Sequence, residues 1–298
     1  MFGFDLNGKL QGMLKKATTP ELSGDKHDMK SGVDWVTKKS IANIAWGEGG
    51  MSVAASMGGE LQKWIQQSFD HAGTSAYRDG AILSANFDGM EMRRVNFMQA
   101  LITECSFSNL DAASKDAMYC DIKFKPESVR HVKGTGKSVL SGLGKRHKDF
   151  MCANFRVEVA GLDVSTVQKV ELPKFTQKTA VDAVGHLREN ALLAHSLELS
   201  DIKFTVGSGP DGKVEDAWMA AAEKWFIAGE TLEEHHISIA VHLLLPDMKT
   251  EIGSITYNGC GWLKVKTSDL ERSDKPSTFD ATFYVEECKL ALAHQDAG

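Results

Sequence analysis

The feature that most constrains the fold is an internal repeat, because the order of predicted elements in the first half recurs about 160 residues later. Apolar residues at helical spacing surround Trp64, and a second such pattern surrounds Trp225. A strand-like run follows each helix pattern, over residues 81–87 and 237–244, and each run ends at a turn before another strand. The shared order indicates a duplicated domain.

The closest match between the two halves lies in the hexapeptides 106–111 and 266–271. Each leads into a polar turn and then a strand whose alternate residues are apolar or small: Met118, Cys120, Ile122 and Phe124 in the first half, and Phe279, Ala281, Phe283 and Val285 in the second. Alternation of this kind places one set of side chains on one face of a half-buried sheet. The fold class is therefore predicted to be mainly β, of the α+β kind, with one helix in each of two tandem domains.

The domain boundaries follow from the ends of the repeat. The second half opens with an alternating run at 155–162 that turns at Gly161 and continues through 164–170 as a predicted hairpin, and residues 196–206 are typical of one further strand. The first half lacks a clear counterpart to the opening run. We predict an N-terminal arm or diverged strands over 1–34, a first domain over 35–130, a basic Gly-rich linker over 131–151 and a second domain over 152–298.

Charge and cysteine content exclude several classes of protein. The net charge of -6 disfavours a general nucleic-acid binder, and six of the basic residues cluster between 130 and 148, which leaves the rest more acidic. No apolar run is long enough to span a membrane, and the first 20 residues lack a secretory layout. The five cysteines form no C-x-x-C pair, which favours neither zinc nor disulfides and indicates folding in a reducing compartment.

A family resemblance rests on a few loose motifs that occur in a shared order. These are the run F-x-V-E-V-x-G-L at 155–162, the helices around Trp64 and Trp225, and the loop L-D-A-A-S at 110–114. In this order the chain resembles the tail-tube proteins of contractile, myovirus-type phages and related contractile injection systems. The second copy of the loop reads L-E-R-S at 270–273, which departs from the pattern.

The resemblance covers most of the second half and residues 57–130 of the first. It implies small β-barrels or sandwiches, each with a flanking helix, that join edge to edge into rings of six domains around a channel. With two domains per chain, it implies three chains in a pseudo-hexameric ring, and six chains with one domain outside is the alternative. The stacked rings would form a tail tube inside a contractile sheath.

The resemblance also implies a structural, non-enzymatic role without a cofactor. The partners it implies are further copies of the chain, a sheath protein and baseplate proteins, with no membrane anchor. DNA, or an effector, would pass through the lumen during ejection without specific binding, which suits an acidic lumen that repels phosphate. The expected location is the virion tail of a bacteriophage, assembled in the cytoplasm of the host bacterium.

Two acidic loops are the candidate ring-interface or lumen residues, with solvated turns as the alternative interpretation. They comprise Asn109, Leu110 and Asp111 in the first half, and Asp269, Leu270 and Glu271 in the second. The least barrel-like segments, 173–195 and the N-terminal segment to residue 35, are predicted to reach an adjacent ring. A helical pattern over 181–192 allows a packed helix instead, and deletion of residues 2–20 is expected to leave a folded protein.

Two motifs that could indicate a nucleotide site or a metal site match their patterns only poorly. Gly136-Lys137-Ser138 matches the end of a phosphate-binding loop, but His131 stands where the pattern needs glycine. His235, His236 and His242 lack the spacing of metal ligands, so structural roles are favoured.

Two alternative functions stay open. One is a type VI secretion ring, or a baseplate or hub component that initiates a tube. The other is a duplicated β-barrel binding module or enzyme, although local motifs supply no catalytic triad.

Overall fold

The computed structural model describes residues 1–30, 32, 35–70, 76–139, 150–182, 189–209, 211–229, 231–267 and 277–292. The elements of the first repeat are β1 (Phe2–Leu6), β2 (Lys9–Thr18), β3 (Leu22–Met29), β4 (Lys38–Trp46), β5 (Gly49–Ala54), α1 (Gly59–Phe69), β6 (Arg78–Ala85), β7 (Glu91–Phe107), β8 (Leu110–Asp111), β9 (Tyr119–Lys125) and β10 (Ser128–Lys133).

The second repeat has the same order of elements, except that a short 3-10 helix follows its α-helix and no counterpart of β8 lies among the described residues. Its elements are β11 (Phe155–Val159), β12 (Val167–Glu171), β13 (Phe175–Asp182), β14 (Ala191–Leu199), β15 (Ile202–Gly207), α2 (Lys213–Phe226), a short 3-10 helix (Glu233–His235), β16 (Ile237–Leu244), β17 (Glu251–Thr267), β18 (Thr278–Tyr284) and β19 (Glu287–Leu292). Strands dominate both repeats, which confirms the predicted mainly β fold class.

In the first repeat, antiparallel pairing closes six strands into a barrel. Its order is β7, β6, β1, β2, β5 and β9, and β9 pairs back with β7. A tight turn joins β1 to β2, where Asn7 and Gly8 both have positive φ, as a two-residue hairpin of this kind requires. We call β1–β10 with α1 the first barrel.

In the second repeat, which we call the second barrel (β11–β19 with α2), nearly every pairing of the first recurs. β11 pairs with β16, as β1 pairs with β6. β15 pairs with β18, as β5 pairs with β9. β17 pairs with both β18 and β19, as β7 pairs with both β9 and β10. The hairpin β13–β14 corresponds to β3–β4. This agreement in pairing confirms the duplication.

Each barrel is filled by aromatic side chains around one tryptophan of its helix. In the first, the Trp64 ring lies 6.5 Å from that of Phe4 and 6.3 Å from that of Phe124. In the second, Trp218 takes this place, with its ring 6.2 Å from that of Phe283. Trp225, which marks the helix in the sequence, contacts His236 and Tyr284 near the barrel end instead.

The N-terminal segment is part of the first barrel. β1 pairs with both β2 and β6, and Phe4 and Leu6 are fully buried. Of the two predicted alternatives, the structure therefore has the diverged strands. The expectation that residues 2–20 can be deleted without unfolding is wrong, because their removal would open the barrel and expose its core.

Two strand predictions in the second half also need correction. Residues 164–170 were expected to pair with the preceding strand, but β12 pairs with β15 and β8, and β11 pairs with β16. The seven-residue connection between β11 and β12 is too long for a tight hairpin. The predicted strand 196–206 is interrupted after Leu199, where the chain leaves the β13–β14 hairpin and enters the barrel as β15.

The first residues of the predicted linker, 131–139, are held against the first barrel. Residues 131–133 belong to β10, and Thr135 then donates a hydrogen bond to the Glu91 carboxylate at 2.6 Å. Ser138 forms a β-bridge with Met90, which holds this segment against the first barrel. Residues 140–149 lie outside the described part, and the domain boundaries remain predictions.

We expect Phe4→Ala to destabilise the protein by about 3–5 kcal/mol, since it removes a fully buried ring from between Trp64 and Phe97. Phe2→Ala is the matched control on the same strand, because Phe2 is 45% exposed. The free energy of unfolding in urea measures both. Equal, small effects would contradict the placement of β1 in the barrel.

Candidate subunit-contact surface

The first candidate loop lies where the two barrels meet. Leu110 and Asp111 form β8, which pairs with β12 of the second barrel through Val170 and Lys169. Leu110 is fully buried there, whereas Asn109 is exposed. Asp269, Leu270 and Glu271 lie outside the described residues, so their part in a ring interface or lumen stays a prediction, as it does for the first loop.

A second strand pairing joins the barrels beside β8. β13 pairs with β7, with Phe175 opposite Cys105 and Thr176 opposite Glu104. Phe175 is buried, and its ring lies 4.7 Å from that of Phe69 at the end of α1. The sheet of the first barrel therefore continues into the hairpin of the second.

A helix side chain completes the contact by occupying the edge of β19. The Gln66 side chain of α1 accepts a hydrogen bond from the Leu290 backbone N–H at 2.8 Å and donates one to the Cys288 carbonyl at 3.4 Å. A glutamine amide thus satisfies a donor and an acceptor that the edge of a sheet would otherwise leave exposed.

A carboxylate at the contact holds lysines from both barrels. Glu104 on β7 lies 2.8 Å from the Lys174 ammonium of the second barrel and 3.0 Å from the Lys123 ammonium of the first. Burial raises the pKa of Glu104, but the hydrogen bonds from the two lysines outweigh it, so the net pKa lies below the ordinary value.

A second carboxylate joins the two hairpins. Glu189, beside β14, accepts hydrogen bonds from both terminal nitrogens of Arg130, at 2.7 and 3.0 Å, and from the Trp46 indole at 3.1 Å. The Arg130 bonds are the main reason that the pKa of Glu189 falls to about 2 from the usual 4.5. The carboxylate therefore stays ionised through most of the acid range.

Sequence reasoning places β8 near a boundary but misses Gln66, Glu104, Lys174 and Glu189. Each of these acts through a partner that is distant in sequence, and nothing local distinguishes it from a solvated surface residue. A residue-by-residue comparison of the two repeats could have singled out Glu104 and Lys174, since their counterparts in the other repeat are Lys264 and Glu21.

The remaining motifs lie apart from this contact. His236 shares a hydrogen bond with the Tyr284 hydroxyl at 3.0 Å, and His242 Nδ1 lies 3.0 Å from the Glu251 carboxylate. Among the described residues, no group of three or more potential ligands is placed to hold a metal ion. In the same residues, no helix is both long and apolar enough to cross a membrane. All five cysteines are buried and unpaired.

Several solved structures are similar to this chain. Their likeness is one of fold, at 10–17% sequence identity over about half of this chain. A chain of the anti-feeding prophage baseplate is 10% identical, with a TM-score of 0.35, over 47% of this chain and 91% of its own. Hcp1 from Flavobacterium johnsoniae is 13% identical, with a TM-score of 0.32, over 45% of this chain and 96% of its own.

A chain of the sheath/tube terminator of the PVC extracellular contractile injection system is 17% identical, with a TM-score of 0.36, over 44% of this chain and 92% of its own. No protein-family model matches the sequence, and no curated protein matches it.

We expect Glu189→Gln to lower the melting temperature at pH 7, because it removes the charge that Arg130 binds. A carboxylate whose pKa falls on folding stabilises the folded state above its unfolded pKa of 4.5 and loses that effect as pH falls toward 2. The difference in melting temperature between wild type and variant should therefore shrink between pH 4.5 and 2. Glu198→Gln, on an exposed pair with Lys178, is the control and should change little. A constant difference for Glu189→Gln would contradict the assignment.

Proposed function

We propose that the chain is a structural, non-enzymatic subunit of the inner tube of a contractile tail or related injection system. The observation that supports it best is the continuity of the sheet from the first barrel into the second, through β7–β13 and β8–β12. Barrels joined edge to edge in this way stand next to each other as neighbours in a ring wall, and a closed ring removes the exposed strand edges.

In the proposed ring, three chains supply six barrels. The arrangement with six chains and one barrel outside is disfavoured, because the second barrel continues the sheet of the first instead of packing on its outer face. Both barrels would then contribute equivalent strands to the wall of the channel. Such a ring has pseudo-sixfold symmetry and true threefold symmetry.

The polar face of this continuous sheet is the proposed channel surface. Opposite the buried side chains, it carries three carboxylates that are paired with lysines: Glu104 with Lys123 and Lys174, Glu171 with Lys169, and Asp280 with Lys203. A surface with such internal ion pairs attracts phosphate weakly, since each lysine would have to leave its carboxylate first. DNA or protein cargo would then pass without binding mainly because the lysines of the channel surface are paired with carboxylates, and less because acidic residues outnumber basic ones there.

The two hairpins are the proposed contacts between stacked rings. The hairpin β3–β4 is exposed over most of its length and presents Met29 and Ile41, which are 51% and 76% exposed. The equivalent hairpin presents Val181 and Leu193, which are about half exposed. Strands cover residues 175–182 and 191–199 of this second segment, and residues 183–188 of the predicted helical pattern lie outside the described residues. Clustered apolar side chains on a protruding hairpin favour a protein contact.

The tube proposal is tested by electron microscopy of the purified protein over a concentration series. We expect hollow rings that stack into tubes as concentration rises. In a variant in which Asn-Gly replaces residues 28–39, we expect rings without stacking, because the barrels keep their strands and the tight turn keeps the hairpin register. Single chains at every concentration would contradict the proposed function. Normal tubes from the shortened variant would contradict the role of the hairpin alone.

A further inference from the structure

The contact inside the chain uses a different side of each barrel. The first barrel offers its helix side, which we define as α1 with the 101–107 end of β7, and the second offers its hairpin side, which we define as β13–β14 with β19. The duplication provides the same two sides again. These are the helix side of the second barrel (α2 with the 261–267 end of β17) and the hairpin side of the first (β3–β4 with β10). On the latter, Trp46 and Arg130 bind Glu189 of the same chain, whereas the start of β3, next to Glu21, is exposed. We call this start of β3 and the helix side of the second barrel the two unused sides.

Strand register identifies the residues that correspond on the two helix sides. Glu104 lies opposite Lys123 and Cys105 opposite Ile122 in the first barrel, just after a bulge. Lys264 lies opposite Thr282 and Val265 opposite Ala281 in the second, also just after a bulge. Lys264 is therefore the counterpart of Glu104, and Val265 that of Cys105.

Hydrogen bonds identify the residues that correspond on the two hairpin sides. The Ser200 N–H donates to the Lys174 carbonyl at 2.9 Å, and the Gly47 N–H donates to the Glu21 carbonyl at 2.7 Å. The next residue then opens the hairpin in each case. Phe175 pairs with Leu199, and Leu22 with Trp46. Glu21 is therefore the counterpart of Lys174.

The charges at these positions are exchanged between the repeats. Within the chain, the hairpin carries the base and the strand carries the acid, and Lys174 pairs with Glu104 at 2.8 Å. On the two unused sides, the hairpin carries the acid Glu21 and the strand carries the base Lys264. Both are exposed, and neither has an ion-pair partner in the part of the chain that the structure describes.

The exposure of side chains at corresponding positions also differs between the covered sides and the unused sides. Phe175 is 1% exposed on the covered hairpin side, whereas its counterpart Leu22 is 55% exposed. On the helix side, Thr103 is 7% exposed, whereas the residue at the same register in the second barrel, Leu263, is 49% exposed. Each unused side therefore presents an apolar side chain to solvent, at Leu22 and at Leu263.

We propose that these two sides bind each other between copies, so that Glu21 of one copy pairs with Lys264 of the next and Leu22 lies opposite Val265. The partner is a second copy of this chain, bound head to tail. The exchanged charges also exclude the wrong neighbours, because a hairpin with Glu21 would meet Glu104 on another first barrel, and Lys174 would meet Lys264 on another second barrel. This inference deepens the proposed function, on which it rests, by naming the contact that closes the ring.

Site-directed cross-linking tests the register. In the variant Ser23→Cys with Lys264→Cys, a short bis-maleimide should join most chains to a neighbour, with a covalent trimer as the largest product of a three-chain ring. The matched control is Thr176→Cys with Glu104→Cys, which are opposite each other inside the chain and should link within single chains. The five native cysteines are buried and should stay unreacted in the wild-type protein.

Charge reversal tests the ion pair by an independent readout. Glu21→Lys and Lys264→Glu should each weaken association roughly tenfold or more, because each places like charges together, and the double variant should recover most of the loss. Two single losses without recovery, or no loss at all, would overturn the pairing of Glu21 with Lys264.

The outcomes separate the two proposals. Rings from the wild-type protein, without a cross-link between chains while the control pair reacts, would overturn this interface and leave the tube function standing. Failure of the wild-type protein to form rings, while the control pair reacts, would overturn both.

Discussion

The architecture depends on the antiparallel pairing of β13 with β7, which joins one barrel to the next through backbone hydrogen bonds. A sheet edge in a soluble protein must be covered, shortened or paired. Here the edge of the first barrel is paired by the second, and Gln66 covers the edge of β19. The chain therefore contains one complete barrel–barrel contact, and the ring proposed here would require a second one between copies.

The charges at this contact affect which barrels can be neighbours more than they affect how strongly the barrels bind. Exposed ion pairs contribute little free energy, whereas like charges brought together at an interface are costly. Glu104 with Lys174 inside the chain, and Lys264 with Glu21 on the unused sides, are arranged so that only alternating barrels bring opposite charges together. Duplication followed by exchange of charge in this way would convert a ring of identical domains into one with a fixed alternation.

The sequence predicts much of the fold but little of the contact. Alternation predicts the buried faces of β9 and β18, because these strands have one apolar and one polar face. It fails for β1, where four consecutive residues are buried and no alternation exists. The counterpart of Trp64 is assigned wrongly, to Trp225 instead of Trp218, because both tryptophans fit the same helical spacing. Lys174 and Glu104 are 70 residues apart, and only strand pairing brings them together.

In the proposed ring, the contact between copies repeats the contact within the chain. Electron cryo-microscopy of the assembled protein can compare these two contacts. The first consists of the first barrel and the second-barrel hairpin of the same chain. The second consists of the second barrel and the first-barrel hairpin of the neighbouring chain, and it is superposed on the first. We expect the two contacts to superpose, in a ring of six barrels with threefold symmetry. A ring in which the chains meet through other surfaces, or in which the second barrel lies outside the wall, would contradict it.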